Sequence, residues 1–182
     1  MKIWIFAEIY RRRLSQVALE LISCARGLAA DAQVTAVLIG HDLDAAIREA
    51  AANGATQIIV ADHPLLENYD DCRYESILTN LVRKYNPDIL LGGATAIGRA
   101  LLPRCAVKLH TGLTADCTPL SLEPETGLLL QTRPAFGGNL FATIKTAEHR
   151  PQMATVRPQV MKITPFTAKI DPEIILVTPS EN

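Results

Sequence analysis

Apolar residues along the first 110 positions fall into two alternating patterns. Short continuous runs rich in β-formers are separated by longer segments in which apolar residues recur at helical spacing. The runs predict strands over 2–8, 34–39, 57–61 and 88–91, and the periodic segments predict helices over 14–30, 42–53, 71–85 and 96–109. Because strands without polar alternation are buried on both faces, this half predicts a parallel sheet with helices on both sides.

The pattern changes after residue 111. Short runs predict strands over 129–133, 140–145, 152–156 and 174–178. Residues 124–127 contain a proline and a glycine, and they predict a hairpin turn between 120–122 and 128–130. We therefore expect one α/β domain over residues 1–182, a three-layer sandwich. Its mostly parallel sheet, built by the alternating half 1–110, would be extended by a β-rich, partly antiparallel half at 111–182.

The composition argues against several classes of function. A net charge of −1 and an aromatic content of 5% give no support to a nucleic-acid partner. No apolar run approaches the roughly 20 residues that span a bilayer, so no membrane insertion is expected. The chain begins Met1-Lys2 and enters a strand at once, which indicates no targeting segment and a cytoplasmic protein. The four cysteines never form C-x-x-C and are interpreted as free thiols rather than metal ligands.

No catalytic constellation is present in the sequence. It contains no phosphate-binding loop, dinucleotide fingerprint, nucleophile elbow or zinc-binding helix motif. The four histidines lie at predicted loops or element ends and are interpreted as surface or capping residues. Asp42, next to His41, is predicted to cap a helix rather than to act as a catalytic partner. The run 11–13 of three arginines is predicted to be a solvated corner, with a partner contact as the alternative.

The loop 92–99 is the first of three that carry ligand-binding chemistry. It follows a predicted strand and opens a helix, a position where backbone N–H groups favour an anion. The alternative is a tight turn in which Thr95 caps the helix and Gly98 allows close packing. We expect at least one of Arg99 and Arg104 to form an ion pair.

The other two loops follow residue 110. In 111–118, Asp116 lies among three threonines, which suggests a carboxylate held by local donors; a plain polar strand entry is the alternative. In 132–139, a proline and two glycines predict a shaped loop on which Arg133 can hold a planar anion or the polar edge of a cofactor. The alternative is a structural corner in which Arg133 pairs with a carboxylate and Phe136 packs in the core.

Six segments together carry a family resemblance: 2–8, 93–99, 103–104, 111–118, 132–139 and 151–158. They resemble, in order and over almost the whole chain, the N-terminal domain of the electron-transfer flavoprotein alpha subunit. The resemblance implies the adenine-nucleotide alpha-hydrolase-like α/β fold. It also implies an electron-carrier domain without its own catalytic centre, from a bacterial or archaeal cytoplasm.

The resemblance implies partners and cofactors as well. The domain would pack against a beta subunit in a heterodimer that shuttles electrons from flavin dehydrogenases, such as acyl-CoA dehydrogenases, through FAD. The main FAD would be held by a second domain of the alpha subunit beyond residue 182, so this chain by itself is not expected to bind it. The beta subunit would carry AMP or, in electron-bifurcating members, a second FAD.

A cofactor-facing loop is also implied by the resemblance. Its residues would approach a flavin held by the partner subunit: Thr132, Arg133, Pro134, Phe136, Gly137 and Gly138. There Arg133 would stabilise negative charge on the reduced ring. The competing hypothesis is a free-standing adenine-nucleotide-binding module of the universal-stress type. The usual glycine signature of such modules is not matched by Gly93, Gly98 and Gly112.

Overall fold

The fold follows from a computed structural model, which describes residues 1–135 and 140–178. The strands are β1 (Lys2–Phe6), β2 (Ile9–Tyr10), β3 (Arg13–Leu14), β4 (Gln33–Gly40), β5 (Gln57–Asp62), β6 (Ile89–Gly93), β7 (Leu113–Cys117), β8 (Leu120–Leu122), β9 (Leu129–Pro134), β10 (Phe141–Ile144), β11 (Gln152–Val156) and β12 (Glu173–Leu176). The helices are α1 (Gln16–Leu28), α2 (Asp44–Ala52), α3 (Asp71–Tyr85) and α4 (Ala96–Lys108), with a 3₁₀ turn at Pro64–Leu66.

A seven-stranded sheet with the order β12-β5-β4-β1-β6-β11-β7 forms the middle layer, and each neighbouring pair is parallel. The central strand β1 pairs with β4 and β6, so Ile3 lies opposite both Val34 and Ile89. A second sheet, β10-β9-β8, is antiparallel. The β-rich half therefore divides: β7, β11 and β12 join the main sheet in parallel, and the antiparallel strands form a separate sheet. The predicted α/β class with helices on both faces is confirmed.

Two hydrophobic cores lie on opposite faces of the main sheet, because alternate residues of a buried strand point to opposite sides. Along β1, Ile3 and Ile5 belong to the core under α1, α2 and the small sheet. Trp4 and Phe6 belong to the core under α3 and α4. These four side chains are at most 2% exposed, which explains why the strand has no polar alternation.

Local side chains start three of the four helices. Ser15, Asp70 and Thr95 accept a backbone N–H in the first turns of α1, α3 and α4. The predicted cap of α2 is wrong: Asp42 lies outside the helix in a left-handed conformation (φ 56°) and pairs with Arg12 at 2.7 Å. The start of α2 is instead held by Asp62, twenty residues further along the chain. Its carboxylate accepts the N–H groups of Asp42 and Leu43 at 3.0 and 2.9 Å.

The arginine run forms a β-hairpin that the sequence pattern did not predict. Strands β2 and β3 pair antiparallel, and Arg11 and Arg12 occupy the two-residue turn with φ of 50° and 64°. The arginines are exposed, as expected of a corner. Two of them also form ion pairs, Arg12 with Asp42 and Arg13 with Glu49.

The segment 157–172 crosses α1 before β12 pairs with β5. The buried Glu20 carboxylate accepts the N–H of Gln159 at 2.9 Å, and Ser23 Oγ accepts that of Thr164 at 2.7 Å. Arg26 donates to the Thr164 carbonyl at 2.7 Å. These contacts fix the path by which the chain reaches the opposite edge of the sheet. In the described ranges, no helix has the length and apolar character needed to cross a membrane.

Candidate functional site

The candidate site lies where β6, β11 and β7 end side by side. The Ala94 N–H donates to the Val156 carbonyl at 2.7 Å, and the Arg157 N–H donates to that of Cys117 at 3.0 Å. Carboxyl ends of parallel strands are the usual place for ligands in α/β domains. Three arginines reach this region from different elements, and with Asp116 they are called the arginine edge: Arg99 of α4, Arg133 of β9 and Arg157 after β11.

The loop between β6 and α4 is the predicted tight turn. Thr95 Oγ1 accepts the Gly98 N–H at 3.0 Å and donates to a carboxylate oxygen of Glu8 at 2.5 Å. A Cβ on Gly98 would lie 1.9 Å from the Gly93 carbonyl oxygen, so close packing requires glycine there. Because Glu8 places a negative charge at the start of α4, an anion at this helix end would be repelled. The turn interpretation is therefore preferred over a phosphate site.

Asp116 lies in a β-bulge of β7. Its φ is 60°, and the register with β11 shifts between Ala154 and Val156. Its N–H donates to Thr155 Oγ1 at 3.0 Å. Its carboxylate pairs with Arg99 at 3.1 Å, so the expectation that nearby threonines hold this carboxylate is wrong. The expectation of an ion pair in α4 is confirmed twice, because Arg104 also pairs with Asp71, at 3.6 Å.

Arg133 lies near the end of β9, on a strand anchored to the main sheet. The Thr132 carbonyl accepts the Thr118 N–H at 2.9 Å, and the Thr132 N–H donates to the Pro119 carbonyl at 3.2 Å. Alternation along β9 places Arg133 on the same face as the buried Gln131. Within residues 1–135 and 140–178, Arg133 has no ion pair or hydrogen bond through its guanidinium group, so the alternative of a paired structural arginine finds no carboxylate there.

The other predicted loop residues divide into two groups. Thr132 and Pro134 flank Arg133 on β9, and Thr132 Oγ1 lies 2.8 Å from Thr143 Oγ1 of β10. Phe136, Gly137 and Gly138 lie outside the described residues. The structure thus places three of the six predicted site residues together on one half-buried strand.

The pKa of the Cys117 thiol is affected by the charges at this edge. The side chain is fully buried, and burial raises its pKa to about 11. The guanidinium of Arg133 acts to lower this pKa and the carboxylate of Asp116 acts to raise it, so both charges are felt at one sulfur. Because the thiol is neutral at neutral pH, Cys117 is not a nucleophile there.

Two buried polar side chains lie near Arg133. The Gln131 amide is fully buried, and neither its nitrogen nor its oxygen has a hydrogen-bond partner in the described part of the chain. The Thr118 hydroxyl is likewise buried and unpaired there. A guanidinium without a carboxylate partner, beside further donors, fits the polar edge of a planar, electron-rich cofactor.

The histidines and cysteines do not assemble a second centre. His41 Nδ1 lies 3.3 Å from Asp62, and His63 Nδ1 accepts the Leu65 N–H at 3.2 Å, which agrees with the expected capping roles. Among the residues that the structure describes, no group of three or more histidine, cysteine or carboxylate side chains could hold a metal ion. The arginine edge therefore remains the candidate site.

The fold and this edge define an α/β three-layer domain with a cationic rim at its strand ends. A family profile described as "Electron transfer flavoprotein domain" matches residues 3–182. The chain therefore belongs to the electron transfer flavoprotein domain family, which confirms the resemblance seen in the sequence motifs.

Relatives with assigned names agree with this membership. The chain is 52% identical over 158 residues to "Electron transfer flavoprotein subunit alpha" of Thermoanaerobacterium thermosaccharolyticum, covering 86% of this chain and 48% of the relative. It is 44% identical over 163 residues to "Protein FixB" of Bradyrhizobium diazoefficiens, covering 86% and 44%. It is 40% identical over 180 residues to "Acryloyl-CoA reductase electron transfer subunit beta" of Anaerotignum propionicum, covering 86% and 49%. The chain spans about half the length of these relatives.

Sequence reasoning found the strand that carries Arg133 but missed what surrounds it. Arg99 of α4 pairs with Asp116 of β7, and no short-range residue spacing in the sequence indicates such a contact between a helix and a strand. Arg157 follows a predicted strand directly, which was a usable signal for a residue at the carboxyl edge. Gln131 could have been noticed as a polar residue in an apolar run.

Proposed function

We propose that residues 1–182 form the N-terminal domain of an electron-transfer flavoprotein alpha subunit. In this proposal the domain docks onto a beta subunit, and the cytoplasmic heterodimer carries electrons from flavin dehydrogenases, such as acyl-CoA dehydrogenases, through FAD. Family membership and the names of the relatives support the electron-transfer role. The main FAD would be bound by a further domain of the alpha subunit, and AMP or a second FAD by the beta subunit.

One observation supports Arg133 as the cofactor-facing residue of this domain. It lies at the end of the anchored strand β9, half-buried and without a carboxylate partner in the described residues. An arginine held this way keeps its guanidinium available for an anion from outside the chain. Thr132 and Pro134 fix the strand on either side of it.

The neighbouring strand β10 supplies an apolar surface suited to docking. Leu140, Phe141 and Ile144 are 67%, 61% and 36% exposed, and β10 is an edge of the small sheet. Exposed apolar edge strands are prone to association, which favours a covering partner. Since Phe141 pairs with Pro134 across the hairpin, this surface adjoins Arg133. We propose that the beta subunit covers β10 and brings its flavin towards Arg133.

The contribution proposed for this chain is electrostatic stabilisation of the reduced flavin. The bound flavin would supply the electron transfer, and reduction leaves negative charge on its ring. A guanidinium about 4 Å from that charge stabilises it by about 1–4 kcal/mol between water-like and surface-like dielectrics. Arg133 would thereby raise the reduction potential of the flavin that it faces, and β9 would hold its charge in place.

Substitution of Arg133 in the assembled flavoprotein tests the proposal. We expect Arg133→Ala to lower the reduction potential of one flavin and Arg133→Lys to retain part of the effect. Spectroelectrochemical titration of each flavin measures this. Lys145→Ala is the matched control, because Lys145 is a cation directly after the same hairpin strand β10 but is paired with Glu123 at 2.8 Å. Unchanged flavin potentials in Arg133→Ala would exclude the role.

The universal-stress alternative has less support. An adenine-nucleotide module needs a phosphate site at the strand ends, and Glu8 together with Thr95 occupies the start of α4. Calorimetry with ATP and AMP on this chain separates the two functions. Tight binding that depends on the adenosine group would favour the nucleotide module, whereas the electron-transfer domain is expected to bind ATP and AMP no more tightly than inorganic phosphate.

A further inference from the structure

Asp116 and Arg99 form a second charged unit next to Arg133. We propose that Asp116 is a positioning residue that holds Arg99 beside Arg133, so that the two guanidinium groups form one anion site. This inference rests on the proposed function, in which Arg133 faces the negative charge of a reduced flavin. It adds Arg99 as a second contributor and Asp116 as the residue that sets its place.

The backbone of Asp116 is the first argument. A non-glycine residue with φ near 60° costs roughly 1 kcal/mol, and within a strand it interrupts the ladder. The bulge at Asp116 is stabilised by the hydroxyl of Thr155 on β11, which accepts the Asp116 N–H at 3.0 Å. Bulges of this kind re-aim a side chain. Here the carboxylate of a strand residue is turned towards the first turn of α4.

The position of Arg99 is the second argument. A cation in the first turn of a helix is opposed by the helix dipole, so this guanidinium needs a nearby carboxylate. Asp116 provides it at 3.1 Å, and in the described residues the Arg99 guanidinium has no other polar partner. Asp116 Oδ1 is buried and makes no aligned hydrogen bond, so the contact is ionic. The Arg99 side chain remains 57% exposed, which leaves donor groups available to a ligand.

The charge balance of the edge is the third argument. Arg99 pairs with Asp116, Arg133 and Arg157 lie at the ends of neighbouring strands, and Glu8 accepts a hydrogen bond from Thr95 at the same edge. Three positive and two negative groups leave a formal charge of +1 at an edge of a chain whose net charge is −1. The Cys117 thiol feels both Arg133 and Asp116, which supports their proximity. The excess charge comes from α4, β9 and the end of β11, which meet at this edge.

The two possible roles of Asp116 predict opposite changes in anion affinity when Asp116 is replaced by asparagine. If Asp116 only neutralises Arg99, Asp116→Asn removes a negative charge and should strengthen anion binding. If Asp116 positions Arg99, the same change should weaken it, because Arg99 is released into solvent. Asparagine is suited to this comparison because it tolerates a positive φ. Asp42→Asn is a matched control, since Asp42 also has a positive φ (56°) and pairs with an arginine, Arg12.

The probe is inorganic phosphate, titrated into this chain while the side-chain Nε–H resonances of Arg99 and Arg133 are followed by NMR. We expect both resonances to shift with one dissociation constant, Asp116→Asn to weaken it about tenfold, which is ~1.4 kcal/mol, and Asp42→Asn to leave it unchanged. Arg99→Ala should lose as much as Asp116→Asn, and the double variant should lose no more. Equal or tighter binding by Asp116→Asn, or additive losses, would overturn the proposal.

The flavin potential of the assembled protein separates this inference from the proposed function. If Arg133→Ala lowers the potential and Asp116→Asn does not, the function stands and the positioning role fails. If the phosphate titration behaves as expected but neither variant moves the potential, the anion site stands without a flavin role. We expect Asp116→Asn to lower the potential by less than Arg133→Ala.

Discussion

Two corners at the carboxyl ends of the sheet each contain an aspartate with a positive φ that pairs with an arginine, but the two pairs have different roles. At the hairpin corner, formed by Arg11, Arg12, Asp42 and Asp62, an aspartate with φ 56° pairs with Arg12. At the arginine edge, an aspartate with φ 60° pairs with Arg99. Each joins two elements that are distant in sequence. The local geometry alone does not distinguish structure from function.

The surroundings distinguish the two corners. At the hairpin corner, taken with the neighbouring Arg13 and Glu49, the formal charges sum to zero: three arginines stand with three carboxylates, and Arg12 and Arg13 are paired while Arg11 lies over the ring of Tyr10. At the arginine edge, Arg133 has no partner among the described residues. A self-neutralised corner serves the fold, whereas an excess of cations indicates a ligand from outside. The following substitutions test that distinction.

The largest effect is expected at Gly98, which seats α4 on the end of β6. A methyl group there would lie 1.9 Å from the backbone oxygen of Gly93, and a backbone atom cannot rotate away. We expect Gly98→Ala to lower the free energy of unfolding by about 3 kcal/mol. It should also displace Arg99 and weaken phosphate binding. Urea unfolding and the phosphate titration measure the two effects.

Gly27 provides the control for that substitution. It is also a helical glycine, but a methyl group there would meet nothing within 4 Å. Gly27→Ala should therefore stabilise the chain by about 0.5–1 kcal/mol through helix propensity. A Gly98→Ala variant within 1 kcal/mol of the natural chain would mean that α4 can shift, and that the arginine edge is less fixed than the structure indicates.

A smaller effect is expected at Asp62, which belongs to the hairpin corner. Asp62→Ala removes the acceptor for the N–H groups of Asp42 and Leu43 and should cost about 2 kcal/mol in the free energy of unfolding. Faster hydrogen exchange should be confined to the start of α2. Phosphate binding should not change, because this corner is structural.

Asp31 supplies the control for that measurement. It is exposed, and in the described chain it makes no side-chain hydrogen bond or ion pair, so Asp31→Ala should stay within about 0.5 kcal/mol. Loss of phosphate binding in Asp62→Ala, with stability preserved, would reverse the assignment of the two corners.

The sequence predicted elements well where the signals were local. Helix α3 has the predicted bounds because Asp70 caps its start and Asn86, with φ 48°, ends it before a proline. Strand β11 also agrees residue for residue with its predicted range of 152–156. The hairpin turn at 124–127 was predicted from its proline and glycine, and β8 and β9 do pair antiparallel.

Contacts between distant residues were not predictable in this way. Asp42 looks like a helix cap from its neighbours, but α2 has no side-chain cap, and the residues before it are held by Asp62, which is brought near by the pairing of β4 with β5. The same holds for the site. The loop composition singled out Arg133, whereas its relation to Arg99 depends on β7 and α4 meeting at one edge. The residue pattern therefore predicts the helices and strands, whereas which of their ends lie side by side depends on the order of strands in the sheet.

The smallest expected effect concerns the turn of the β2–β3 hairpin. Two-residue turns with positive φ at both positions favour Asn-Gly, and here they contain Arg11 and Arg12. Replacing the pair by Asn-Gly relieves this strain but removes the Arg12–Asp42 ion pair, which is largely exposed and worth at most about 1 kcal/mol. We expect a net gain of about 1 kcal/mol in the free energy of unfolding, measured by urea titration, with phosphate binding unchanged. A net loss would mean that the two arginines contribute more to this corner than their exposed contacts indicate. That outcome would strengthen the assignment of this corner to the fold, because the strain at Arg11 and Arg12 would then be offset by structural contacts.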